Sequence, residues 1–164
     1  MSENLVDIQN ERLSFFTPAG EVKSLNDVSL TVREGEVLGI VGESGSGKSV
    51  TAYSLMGLTA YPGRIIGGDL YFNNHHINEM SEKGMRKIRG KEISIIFQDP
   101  MTSLNPVYTV GNQIMESILL HTDKNRKQAK ERAKELLELV GINEPEKRLK
   151  QYPHELSGGM RQRV

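Results

Sequence analysis

Residues 37–58, VLGIVGESGSGKSVTAYSLMGL, constrain the fold of this 164-residue chain more than any other stretch. Val37–Val41 is continuously apolar, without the alternation of a half-exposed strand. It reads as a strand buried on both faces of a parallel sheet. A loop of glycines and serines follows at once, and then Lys48–Leu58, a plausible helix. Strand, tight loop and helix in direct succession predict an α/β architecture. Glu92–Phe97, EISIIF, is a second apolar run of the same kind and predicts a second buried strand.

The loop itself, GESGSGKS, fits the pattern G-x-x-x-x-G-K-[ST]. A triphosphate carries several negative charges and needs donors on many sides. Glycines let the backbone curl until successive N–H groups point inward as an anion nest. The following helix adds the positive end of its dipole. Lys48 is placed to set its ammonium against the β and γ phosphates, and Ser49 to put its hydroxyl on Mg²⁺. The nucleotide-binding set is therefore Gly42, Glu43, Ser44, Gly45, Ser46, Gly47, Lys48 and Ser49, with Glu43 and Ser44 filling variable positions and taking no catalytic role.

An enzyme built on such a loop also needs an acidic residue after an apolar strand to hold Mg²⁺, usually with a nearby Glu that orients water. Ile93–Asp99, ISIIFQD, offers Asp99 in that place. Pro100 follows it, however, and no Glu is adjacent. Gln98, at the strand end, is the preferred polar group. Its amide oxygen suits Mg²⁺ or a Mg²⁺-bound water, and it can move with its loop. Asp99 as the ligand, or a purely structural strand end, are the alternatives.

The remaining segments read readily. Residues 1–36 are short strands and turns, including Val28–Val32. GGDLYFNN is a strand ending in a turn, and SEKGMRKIRG is a short helix with Ser81 as its N-cap. After Pro106 the pattern becomes helical. TVGNQIMESILLH is one helix. NRKQAKERAKELLELVG is the clearest, with Ala129, Ala133, Leu136, Leu137 and Val140 on one stripe and Gly141 as the stop. Its charged face is ordinary solvated surface.

Composition narrows the classes. The formal net charge is zero, so no long-range field draws the chain to nucleic acid or an anionic membrane. There is no cysteine, hence no disulfide framework and no thiolate metal site. No apolar run approaches the roughly 20 residues that span a bilayer. The polar N-terminus is unlike a secretory signal, so a soluble cytoplasmic chain is expected.

Three features stand in order along the chain: GESGSGKS, then IIFQDPMTSLNP, then LSGGMRQRV. Together they resemble the nucleotide-binding subunit of an ABC transporter, and LSGGM, Leu156–Met160, is similar to that family's signature. The wording of GESGSGKSVTAYSLMGL, YPGRI, IFQDPMTSLNPVYTVGNQIMES and YPHELSGGMRQRV resembles the ATP-binding subunits of bacterial dipeptide and oligopeptide importers, a group that includes nickel importers.

The resemblance implies an α/β fold, a P-loop NTPase ABC nucleotide-binding domain that is incomplete. It would have an antiparallel β-subdomain over 1–36 and a P-loop core with a partial parallel sheet over 37–105. A helical subdomain over 106–156 and the start of a signature helix at 157–164 would complete one truncated domain. It implies that two such domains pair head to tail. ATP would then lie between Gly42–Ser49 of one and Ser157, Gly158, Gly159 and Met160 of the other, where a helix start completes the shell around the γ phosphate. Asp99–Val107 resembles the loop that reports nucleotide state to the membrane subunits. An aromatic near the N-terminus would stack on adenine, with Phe15 or Phe16 the candidate and a core Phe the alternative. Tyr152 and Pro153 shape the turn into the signature. His154 precedes the signature, and His121–Asp123 resembles the family's switch motif only in letters.

The expected activity is MgATP binding and hydrolysis coupled to import of peptides or similar small solutes. ATP and Mg²⁺ are the cofactors. The expected partners are a second ABC ATPase subunit, two membrane-spanning permease subunits and, indirectly, an extracytoplasmic solute-binding protein, with no nucleic acid. The expected location is the cytoplasmic face of the cell membrane. No apolar strand ending in Asp-Glu and no downstream switch His is present in the sequence. The chain is therefore expected to be an N-terminal fragment that binds nucleotide and hydrolyses it poorly or not at all, leaving Lys48 and Gln98 as the catalytic groups within it. The alternatives are a non-transport ABC ATPase of DNA repair or translation, and a non-hydrolysing regulatory fragment.

Overall fold

The structure, a computed structural model, describes residues 4–97 and 103–164. They fall into two compact units, one ending at Ser94 and the other beginning at Ile95.

The first unit is built on a long hairpin. β1 (Asn4–Thr17) and β2 (Gly20–Arg33) pair antiparallel from Asn4↔Arg33 to Thr17↔Gly20, around the two-residue turn Pro18–Ala19. β3 (Gly63–Phe72) joins the other edge of β1, and β4 (His75–His76) pairs with β3 to give the order β2-β1-β3-β4. The β3–β4 turn is Asn73–Asn74, and both residues have positive φ, at 46° and 63°. That geometry defines the tight turn whose twist matches antiparallel strands, and Asn tolerates it.

Alternation along β1 and β3 sends Val6, Ile8, Leu70 and Phe72 into one core. A short 3₁₀ turn, Ile77–Glu79, and helix α2 (Glu82–Ile88) close this core with Ile77, Met85 and Ile88. Ser81 caps α2 as expected, its Oγ accepting from the Gly84 N–H at 3.2 Å.

A bulge interrupts β1 at Asn10, where φ is 50°. It changes the parity of burial, from Val6 and Ile8 to Glu11 and Leu13. Gly68 of β3 makes the bulge possible. Its φ is 86°, and a Cβ there would stand 2.4 Å from the Asn10 carbonyl oxygen.

The partial parallel sheet expected from Val37–Val41 and Glu92–Phe97 is not formed among the described residues. Val37 and Val41 are 96% and 93% exposed and Ile96 is 97% exposed. Neither segment is a strand, and among the described residues the only pairing is a single bridge, Arg89↔Ile93. The physical reason is the lack of a neighbour. A parallel strand is held by ladders to flanking strands and by cover on both faces, and no described strand lies beside either segment.

The second unit is helical, as the sequence predicts: α3 (Val110–His121), α4 (Arg126–Leu139), α5 (Pro145–Arg148), a 3₁₀ turn at Pro153–Glu155 and α6 (Gly158–Arg163). Ala133, Leu137, Ile142 and Leu149 form its core, with Ile114, Ile118 and Met160 packed against it. Asn125 and Gln128 make a reciprocal capping box at the start of α4. Gly141, at φ 71°, ends that helix, with Gly141 N–H donating to Glu138 O and Ile142 N–H to Leu137 O. Of the expected stripe, Ala129, Ala133 and Leu137 are buried while Val140 stays 40% exposed. No helix among the described residues is long and apolar enough to cross a membrane.

Candidate nucleotide site

The exposed loop Gly42–Ser46 leads through the buried Gly47 into helix α1 (Lys48–Leu55). Gly47 is the hinge between them. It caps α1 at φ 92° and ψ −4°, and a Cβ there would meet Leu25 Cδ2 at 2.6 Å. Only glycine combines that left-handed backbone with so close an approach to β2. From this point Thr51 N–H and Oγ1 donate to Gly47 O at 2.9 and 3.1 Å, so the first turn of α1 is closed firmly.

Lys48 folds back over the loop it follows. Its Nζ donates to the carbonyl oxygens of Gly42 and Glu43, both at 2.7 Å, and to Ser46 Oγ at 3.2 Å. The ammonium thus sits at the mouth of the loop, satisfied by neutral acceptors that an anionic ligand would outcompete. No acidic residue occupies the first turn of α1, and Ser49 presents an exposed side chain there. Free backbone donors, a helix start, an ammonium and a hydroxyl without a competing carboxylate fit a magnesium-bound polyphosphate.

The other expected residues are placed as follows. Ser157 caps α6, its Oγ accepting from Met160 N–H at 3.3 Å, while Gly158 and Gly159 are exposed and a Cβ on either would meet nothing within 4 Å. The stretch Ser157–Met160 is therefore an open helix start. Phe16 is 44% exposed, with the Arg64 guanidinium carbon 5.8 Å from its ring centre, whereas Phe15 is half-buried. His154 stacks on Tyr152 at 5.7 Å on the exposed turn before the signature. Gln98 and Asp99 lie outside the described residues.

Three side chains that sequence reasoning missed bear on these elements. Glu11 on β1 is fully buried, and neither carboxylate oxygen has a hydrogen-bond partner. Burial pushes its pKa above the usual carboxylate value; the nearby Ser54 hydroxyl on α1 offsets this only in part, because it donates to Thr51 O at 2.8 Å. Arg89 reaches the end of α1 from α2. Arg163 ties α6 to the end of α4, its Nη1 donating to Val140 O and Gly141 O at 3.2 and 2.8 Å and its Nε to Gly159 O at 3.1 Å. Burial of Glu11 depends on the bulge, and the arginine contacts to the ends of α1 and α4 span 22 to 33 residues, so no local pattern announces them.

The fold agrees with comparison to known proteins. The model of the family described as ABC transporter matches residues 25–164, and this chain belongs to that family. Within it, the oligopeptide transport ATP-binding protein OppD of Escherichia coli (strain K12) is 50% identical over 163 residues, which are 99% of this chain and 48% of that protein. The dipeptide transport ATP-binding protein DppD of Bacillus subtilis (strain 168) is 48% identical over 163 residues, 99% of this chain and 49% of that protein. The chain thus spans about half the length of the curated relatives it matches. Among solved structures, the dimeric ATP-binding cassette MJ0796, bound to ADP and Pi after hydrolysis, aligns with a TM-score of 0.81 at 26% identity, covering 96% of this chain and 66% of that one.

Proposed function

We propose that this chain is part of an ATP-binding subunit that couples MgATP binding and hydrolysis to the import of peptides or similar small solutes. The observation that carries the reading is the loop Gly42–Ser49, with Lys48 Nζ held at its mouth by neutral acceptors at the head of α1. The peptide-transport names of the half-identical relatives support the substrate class.

In this reading the chain is one cassette domain in which Gly42–Ser49 receives the phosphates, Lys48 contacts the β and γ groups and Ser49 holds Mg²⁺ together with Gln98. Phe16, the more exposed of the two aromatics, is the better placed for adenine, and Phe15 is half-buried. Ser157–Met160 completes the γ-phosphate shell of a second subunit in trans, and two membrane permeases and a solute-binding protein complete the transporter at the cytoplasmic face. Mg²⁺ supplies charge neutralisation of the triphosphate when bound.

The exposed apolar segments around Val37, Val41 and Ile96 support a further part of the proposal: the 164 residues belong to a longer protein whose remaining strands flank them. No apolar strand in the sequence ends in Asp-Glu, so the chain alone binds nucleotide and turns it over slowly or not at all. Equilibrium binding of MgATP and steady-state phosphate release on the chain test both statements. Binding lost in Lys48→Ala, with negligible turnover, is expected; robust turnover that Lys48→Ala abolishes would sink the second statement.

A further inference from the structure

We infer that Arg89 is a positioning residue for the phosphate loop, acting through the far end of helix α1. This rests on the reading of Gly42–Ser49 as the nucleotide's phosphate site.

Helix α1 has eight residues, about 12 Å of length at the usual rise, and it is not anchored by an apolar stripe. Its buried side chains are Thr51 and Ser54, and only Leu55 packs partly on the first core. Such a helix is held by its ends. At the start, Gly47 lies against Leu25. At the finish, Gly57 at φ 60° turns the chain, with Gly57 N–H donating to Ser54 O and Leu58 N–H to Tyr53 O. That turn leaves the carbonyls of Met56 and Gly57 pointing onward.

Arg89 takes both. It is the C-cap residue of α2, yet its Nε donates to Met56 O at 2.7 Å and its Nη2 to Gly57 O at 2.9 Å. Nη1 donates to Glu82 Oε1 at 2.9 Å, and Glu82, on the first turn of α2, keeps the fork aimed. The side chain is 18% exposed. One planar cation thus neutralises the negative end of α1 and locks it to α2 and the first core. Lys48 and Ser49 begin the same short helix, so its axis sets where their side chains stand. Loss of the clamp lets the far end fray and the near end tilt, which blunts a site that needs sub-ångström placement.

The test measures binding of a fluorescent ATP analogue with Mg²⁺ to the full chain, together with amide hydrogen exchange. Arg89→Ala is expected to weaken binding about tenfold, the scale of a positioning residue that never touches the ligand. Circular dichroism should stay unchanged, and exchange should quicken only around 52–58. Arg89→Lys keeps the charge but cannot span two carbonyls and Glu82, so it recovers part of the loss. Glu82→Gln leaves both carbonyl contacts and should change affinity less than twofold. Unchanged affinity in a folded Arg89→Ala overturns the inference, as does a loss accompanied by faster exchange throughout the first unit, which marks a merely structural role. If Arg89→Ala fails to fold, Arg89→Lys decides on the same two readouts. Lys48→Ala separates the premise: if it leaves affinity intact the phosphate-loop reading fails, and if it abolishes binding while Arg89 variants do not weaken it, the positioning role alone fails.

Discussion

Replacing Glu11 with leucine should stabilise this protein, and the gain should grow with pH. The position is fully buried on β1, beside α1, and both carboxylate oxygens lack partners. An unsatisfied buried polar group costs about 1–3 kcal/mol, and leucine of similar volume removes that cost while adding apolar burial. Folding raises the carboxyl pKa above the ordinary carboxylate value of 4.5, chiefly by desolvation. A group with a raised folded pKa contributes stability that is fully present below the unfolded value and lost as pH rises through the folded one. Wild-type stability should therefore fall as pH climbs above 4.5, and Glu11→Leu should lose that part of the slope. Thermal melts from pH 4 to pH 8 read this directly, at about 2–4 °C per kcal/mol for a chain of this size. Glu11→Gln is the companion: it removes the ionisation but keeps unpaired polar atoms, so it flattens the slope with less gain. If Glu11→Leu melts below the wild type at pH 7, or if the gap between them is the same at every pH, the reasoning is wrong.

Other expectations follow from named contacts. Lys48→Ala removes the ammonium at the loop mouth and should weaken MgATP binding at least a hundredfold by isothermal titration, about 3 kcal/mol; unaltered binding would count against the site. Gly68→Ala adds a Cβ 2.4 Å from the Asn10 carbonyl at a φ of 86°, and should cost about 1–3 kcal/mol in urea unfolding. Asn125→Ala removes the capping box of α4 and should cost about 1 kcal/mol by the same measurement. Arg163→Ala strips the donors from Val140 O and Gly141 O and should quicken exchange of the α6 amides while leaving the first unit unchanged.

Much of the site was legible because its chemistry is local. The loop needs glycines, a lysine and a hydroxyl at set intervals, and Ser157 needs only to stand before a helix. Ser81, Gly141 and the stripe of Ala129, Ala133 and Leu137 were legible for the same reason: caps, stops and helical periodicity act over a turn or two. Val37–Val41 shows the limit of such reading. Its composition is that of a buried strand, but a strand is a relation between segments, and without a flanking ladder the same residues lie exposed.

The sequence by itself determined the phosphate loop, the cap at Ser81, the stop at Gly141 and the strand character of residues 28–32 and of GGDLYFNN. These depend on backbone freedom, side-chain reach and periodicity within a few residues. Only the tertiary structure decided that a bulge turns Glu11 inward, that Arg89 closes the end of α1, and that Arg163 fastens α6 to α4. Each of those arises where residues distant in the chain compete for the same buried space or the same unsatisfied carbonyl, and that competition is settled by packing.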